Sequence, residues 1–289
     1  MTPTGTGIHS PTALMPAVTP NRYTRSLHSL DDPDPDTTDI IGDELVVADV
    51  VTSTQDAALT LLRRRVSPIP SFLLVAEEQT RGRGSHSRPW QSDPGHSLCA
   101  TYTVPHSHCS GGLLQSLVPV ALVGAIRDVT QGQVAIKWPN DIIAVHSRSK
   151  VGGILIEGHT LPDPAAPCGM SLVYLVGIGV NIGTVGQYQG LDSLPGAPPD
   201  VDPISLLACL TRHLNVLLSG DVMQAETRTE RVTEMYHSLI VPDATIKTAG
   251  RSLVPVGVSP EGGLLCHDTV SHTPHTLVSS EGVTWEYHD

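Results

Sequence analysis

Aromatic residues are scarce in this chain: they make up 3% of its 289 residues, and Phe72 is the single phenylalanine. The 39% hydrophobic content still allows a sizeable core, but one that must be aliphatic. Basic charge is also short. The net charge is −12 and the pI is near 5.5, which excludes a basic face wrapping nucleic acid, so no nucleic-acid partner is expected. No run approaches the roughly 20 apolar residues of a membrane helix, so no membrane partner is expected either. The cysteines (Cys99, Cys109, Cys168, Cys209 and Cys266) are odd in number and scattered, with no C-x-x-C. That pattern predicts a reducing, intracellular setting, cytoplasmic by default. Lysine is rare as well. Only Lys137, Lys150 and Lys247 occur, and the first two fall inside the glycine-rich centre of the chain. A lysine is a compact point charge on a flexible stem, suited to a phosphate or carbonyl oxygen.

What is present divides into three regions. Residues 1–42 carry Pro, Thr, Ser, Gly and Asp without hydrophobic period and read as a disordered tail. Their first 30 residues lack acid and include Arg22 and Arg25, as a mitochondrial transit peptide would. Their many prolines and missing amphipathic helix favour a plain tail, so a mitochondrial address stands second. Residues 43–241 read as the main α/β domain and 242–289 as a small terminal one. ELVVADVV, from Glu44, predicts a strand, and Thr52-Ser53-Thr54 offers capping hydroxyls before a helix striped by Ala57, Ala58, Leu61 and Leu62. Phe72–Ala76 predicts a short buried strand. Alternation of Leu98, Ala100, Tyr102 and Val104 predicts a half-buried one. Leu113–Thr130 predicts a long apolar helix, with Pro119 placed in its first turn. Val134–Ile136 and Asp141–Val145 predict a strand pair. Val151–Glu157 and Leu172–Gly179 predict strands covered on both faces. Two helices, Ile204–Ser219 and Asp221–Leu239, follow. Five short strand-like pieces after Val241, separated by turns such as Ser259–Gly263, predict a small β-barrel.

Three stretches carry candidate chemistry. Glu77–Trp90 reads EEQTRGRGSHSRPW: glycines Gly82 and Gly84 let backbone approach a ligand, and the Arg83 fork pairs with carboxylate or phosphate oxygens. Gln79 can donate and accept beside them, and Ser85-His86-Ser87 makes a polar lid. Lys137–Asp141 reads KWPND. Asn140 can read a nucleotide, and Asp141 can hold Arg83 or bind a metal ion; a plain turn is the bland alternative. Lys150, entering a buried strand before Gly152 and Gly153, suits an oxygen that gains charge in a transition state. VGIGVNIG at Val176–Gly183 invites a dinucleotide reading, but its glycines follow G-x-G-x-x-x-G, so that reading is rejected. His106, His108 and Cys109 read as a solvent loop rather than a metal site, having no second ligand cluster.

Together these motifs resemble the biotin–protein ligase (biotin–[acetyl-CoA-carboxylase] ligase) family. The matching pieces are Ser53-Thr54-Gln55, Gln79 to Trp90, Lys137–Asp141, Lys150–Glu157 and Gly177–Asn181, in the family's order. The resemblance spans about residues 44–289. It implies a central mixed sheet of the class II synthetase-like, biotin ligase type, α/β (α+β) in class, with a C-terminal SH3-like β-barrel. It also implies biotin activation to biotinyl-5′-AMP with ATP and Mg²⁺, then transfer to a lysine of carboxylase carrier domains, by a monomer or homodimer. Carried over by position, Ser53, Thr54, Gln55, Gln79, Gly82, Arg83, Gly84, Ser85, Lys150 and Gly153 would hold biotin. Arg83, Trp90, Lys137, Asn140, Asp141 and Asn181 would serve ATP. Lys150 and Arg83 would be catalytic, with no protein cage for the metal.

The chain departs from the family where Ser85 replaces the second loop arginine and Gln55 an asparagine. The first removes a charge-assisted contact to the adenylate and predicts a leaky intermediate unless Arg88 or His86 substitutes. No helix-turn-helix precedes the catalytic region, so a repressor role is not expected. A lipoate or octanoate ligase of the same fold is the second reading. A non-catalytic binding relative is the third, and it predicts loss of Lys150 or Arg83, both of which are present.

Overall fold

The computed structural model describes residues 41–288 except 43, 66–68 and 220–224. The predicted tail falls almost wholly outside the described residues. Its last stretch does not behave as a tail: Ile41 is buried, and its backbone N–H and C=O both bond the Asn215 side chain, at 3.0 and 3.1 Å.

A seven-stranded mixed sheet organises the main domain. Its strands are β1 (Leu45–Val51), β2 (Leu73–Gln79), β5 (Ser97–Pro105), β6 (Val134–Lys137), β7 (Asp141–Ala144), β8 (Lys150–Pro162) and β9 (Met170–Asn181). They lie in the order β1-β2-β5-β9-β8-β7-β6, with only β1 and β2 parallel. Helices α2 (Gly111–Thr130), α3 (Pro203–Leu218) and α4 (Ala225–Leu239) cover one face; α1 (Thr54–Arg64) lies on the other. The pleat sorts the side chains. Leu73, Val75, Leu98 and Tyr102 enter the larger core with α2 and α3, whereas Phe72, Leu74, Val173 and Leu175 meet Ala58 and Leu62 of α1.

Several expectations need correction. β5 is buried on both faces rather than one: Thr101 bonds Thr54 of α1 on one face, while Tyr102 meets Thr211 of α3 on the other. Pro119 is interior to α2, not in its first turn; the helix starts at Gly111, where the Ser110 hydroxyl accepts from the Leu113 N–H. α2 is long and apolar enough to cross a membrane by length and composition, contrary to the sequence expectation, but most of it is buried inside the protein. The glycine-bearing face of β8 and β9 is not covered by a helix beyond α1; it floors a cleft.

The C-terminal strands β10 (Ala244–Thr248), β11 (Arg251–Val258), β12 (Leu264–Asp268), β13 (Pro274–Leu277) and β14 (Thr284–Tyr287) form a small antiparallel sheet in the order β13-β12-β11-β10-β14. Among the described residues, no pairing joins its two edges.

Candidate active site

The cleft opens where the first turn of α1, the loop after β2 and the glycine face of β8 and β9 meet. Ser53 occupies the N-cap position of α1, but its hydroxyl makes no capping bond. Gln79 takes that role. Its side-chain carbonyl accepts from the Thr54 N–H at 2.8 Å and from the Thr54 hydroxyl at 3.1 Å, while Thr101 donates to Thr54 at 2.9 Å. The capping hydroxyls expected from sequence are thus replaced by an amide from β2, which leaves Ser53 facing the cleft.

Gln55 lies deeper. Its amide Nε2 is shared among Leu155 O, Glu157 Oε2 and Leu175 O at 3.1–3.4 Å. Its Oε1 is buried with no partner, in a residue 3% exposed. A buried acceptor without a donor is costly, so this atom marks where a ligand N–H belongs.

Arg83 extends from the short hairpin of β3 (Gly82–Arg83) and β4 (Pro89–Trp90). Its fork grips both oxygens of Glu157, at 3.0 and 2.9 Å, and reaches Asp56 Oδ1 at 2.9 Å. The Glu157 hydrogen bonds raise the guanidinium pKa above its ordinary value, against an opposing desolvation cost. Asp141 does not hold Arg83, as the sequence suggested; its Oδ1 lies 2.5 Å from Lys150 Nζ. A register shift between Ile142 and Ile143 bends β7 against β8 there.

Gly153 and Gly179 are cross-strand partners on β8 and β9, and the Trp90 indole lies on them. A Cβ at Gly179 would sit 2.4 Å from Trp90 Cε2, and one at Gly153 3.1 Å from both Trp90 Cζ3 and Lys150 Nζ. Lys150 Nζ stands 5.5 Å above the indole centroid. These glycines therefore make room for an aromatic plate and a cation at once. Trp90 Nε1 is a second buried polar atom without a partner.

Ser53, Thr54, Gln55, Gln79, Arg83 and Gly84 line this cleft of about 440 Å³, counting its open mouth. Ser85, Trp90, Asn140, Lys150 and Gly153 line it as well. Asn140 enters through its Nδ2, which donates to Ile154 O at 2.9 Å. Gly82, Lys137, Asp141 and Asn181 do not line it. Gly82 is buried in the loop hairpin, where its Cβ would meet the Trp90 backbone at 2.6 Å. Lys137 closes β6 opposite Asp141, and Asn181 is buried opposite Ser97. Sequence reasoning missed Asp56 and Glu157 as anchors of Arg83. The acidic end of the KVGGILIE run was the available signal for Glu157; nothing local marked Asp56.

A mixed sheet with helices on its faces and a small antiparallel sheet appended, holding two cations in one cleft, defines a class of protein. Residues 47–163 match the model of the Biotin/lipoate A/B protein ligase family. Its relatives include the bifunctional ligase/repressor BirA of Bacillus spizizenii, 32% identical over 57% of this chain and 46% of that protein. A biotin–[acetyl-CoA-carboxylase] ligase of Mycobacterium tuberculosis is 28% identical over 54% of this chain and 52% of its own length. The chain thus spans about half the length of these relatives. Among solved structures, the biotin protein ligase from Aquifex aeolicus in complex with biotin and ATP shares the fold, with a TM-score of 0.64 at 21% identity, covering 85% of this chain and all of that one.

Proposed function

We propose that the chain is an ATP-dependent biotin–protein ligase, with 43–241 as its catalytic domain and 242–289 as a small β domain. One observation carries the reading: Arg83 and Lys150, far apart in sequence, line a single cleft. A carboxylate oxygen of biotin attacks the α-phosphorus of ATP and pyrophosphate leaves. A carrier-domain lysine amine then attacks the acyl carbon of biotinyl-5′-AMP, and AMP leaves. Arg83 pairs with the acid or phosphate oxygens once they displace Glu157 or Asp56. Lys150 stabilises the oxygens that gain charge in both steps. A magnesium ion would screen the phosphates and would take its oxygen ligands mainly from the triphosphate, since Asp141, Asp56 and Glu157 are each engaged by a side-chain cation.

The orphan Gln55 Oε1 favours an acid bearing an N–H, as the ureido ring of biotin does, over the dithiolane of lipoate, which has none. Incubation with ATP, Mg²⁺ and an apo carrier domain, with biotin or lipoate in parallel, tests the reading. Biotin-dependent pyrophosphate release is expected. Release with lipoate alone selects the second acid, and release with neither ends the enzyme reading.

A further inference from the structure

The terminal sheet is built into the walls of the cleft's own hairpin. Trp138, between the two strands β6 and β7, is 5% exposed, and its Nε1 donates to Gly262 O at 2.9 Å. Gly262 lies in the Ser259–Gly263 turn, which the Ser259 and Gly263 backbones close at 2.7 Å and the Ser259 hydroxyl braces at 3.2 Å. Gly112 of α2 admits that turn: a Cβ there would meet the Glu261 backbone at 3.0 Å. The hairpin's outer face is held too, where Ala135 and Ile143 pack with Val241 and Ala244. At the hairpin's far end, the Arg148 guanidinium lies 5.2 Å from the Tyr287 ring centroid.

Just after Trp138, Asn140 lines the cleft. Asn140 is tied to Ile154 by two bonds, both 2.9 Å, and Asp141 holds Lys150 Nζ. We propose that Trp138 is a positioning residue: its indole N–H, fixed on the Gly262 carbonyl of the terminal sheet, sets the hairpin so that Asp141 aims Lys150 at the reacting oxygens. This rests on the ligase reading of the cleft. It assigns the terminal sheet a part in the adenylation step that its own side chains, none of which line the cleft, do not show directly.

Trp138→Phe keeps the ring and removes the donor. Gly112→Ala keeps Trp138 and shifts its acceptor, at a position where alanine favours the helix. Both are compared with wild type by thermal melting, then by trace acetylation with an N-hydroxysuccinimide ester, reading Lys150 by mass spectrometry against the exposed Lys247. Loosening the hairpin frees Lys150 from Asp141, so each variant should raise Lys150 acetylation severalfold relative to Lys247. In an Asp141→Asn background Trp138→Phe should add nothing, because the two act in one chain of contacts. Adenylation by Trp138→Phe should fall about tenfold in kcat, with the biotin KM unchanged, because a misplaced Lys150 loses contacts made in the transition state rather than in biotin binding. Unchanged Lys150 acetylation, or an equal increase with and without Asp141, overturns the proposal. If wild type releases no pyrophosphate, the ligase reading fails, while the acetylation cycle still decides whether Trp138 positions Lys150.

Discussion

At the scale of single residues, the site depends on two missing side chains. Gly153 and Gly179 face each other across β8 and β9, and only there can the Trp90 indole lie flat beneath the Lys150 ammonium. Gly179→Ala puts a methyl 2.4 Å from Trp90 Cε2, so the indole must move. The expected cost is about 1–3 kcal/mol of overpacking, with a shifted tryptophan emission and weaker adenylate binding in a fluorescence titration. Ser85 is the opposite case, a serine where the family resemblance expects an arginine. Ser85→Arg should slow spontaneous adenylate release by about tenfold or more, a charged contact contributing about 1.5–3 kcal/mol. Equal release from both proteins would show that another group already does this work. Arg83, Lys150 and Gly153 were legible because they stand in motifs of specific spacing, Lys150 being one of only three lysines. The sequence hid the pairing of Arg83 with Glu157 and Asp56, and of Asp141 with Lys150, because both depend on strand register and on a bulge that no local pattern records.

At the scale of elements, α1 is capped from outside itself. Gln79 on β2 accepts two bonds from Thr54, so Gln79→Ala should lower stability by about 0.5–2 kcal/mol in urea unfolding, as loss of a helix cap does. The start of β1 is tied to the end of α1 by Glu44 and Arg65, whose two bonds are each 2.5 Å. The Arg65 hydrogen bond holds the Glu44 carboxyl below its ordinary value of 4.5. A depressed carboxyl contributes stability above its unfolded pKa and loses that contribution as pH falls through the folded value. Half-exposed as the pair is, the contribution is under about 1 kcal/mol, and Glu44→Gln should remove it only above about pH 4. Most elements were legible because aliphatic periods and turn residues are strong in this chain. The two-sided burial of β5 was not, since its small polar residues Thr101 and Thr103 imitate a solvent face while bonding inside the protein.

At the scale of the whole molecule, the terminal sheet and the cleft share one hairpin, so the chain's two ends of chemistry and support are not independent. Buried thiols report on the packing of the whole fold. Cys109, against α2, and Cys266, in β12, are both pushed up to about 11 by burial. A raised thiol pKa contributes stability that is whole below about pH 9 and declines as pH rises toward 11, because the unfolded chain ionises first. Urea midpoints should therefore fall over that range, and Cys109→Ala with Cys266→Ala should flatten the slope while lowering the midpoint itself.

The central claim is that a loop arginine and a strand lysine act on one ligand. Calorimetric titration with a non-hydrolysable biotinyl-adenylate analogue tests it most directly, using wild type, Arg83→Ala, Lys150→Ala and the double variant. Each single change should weaken binding by at least about tenfold, and the two losses should be coupled rather than additive. Binding that is unaffected by either change, or losses that simply add, would contradict a shared site.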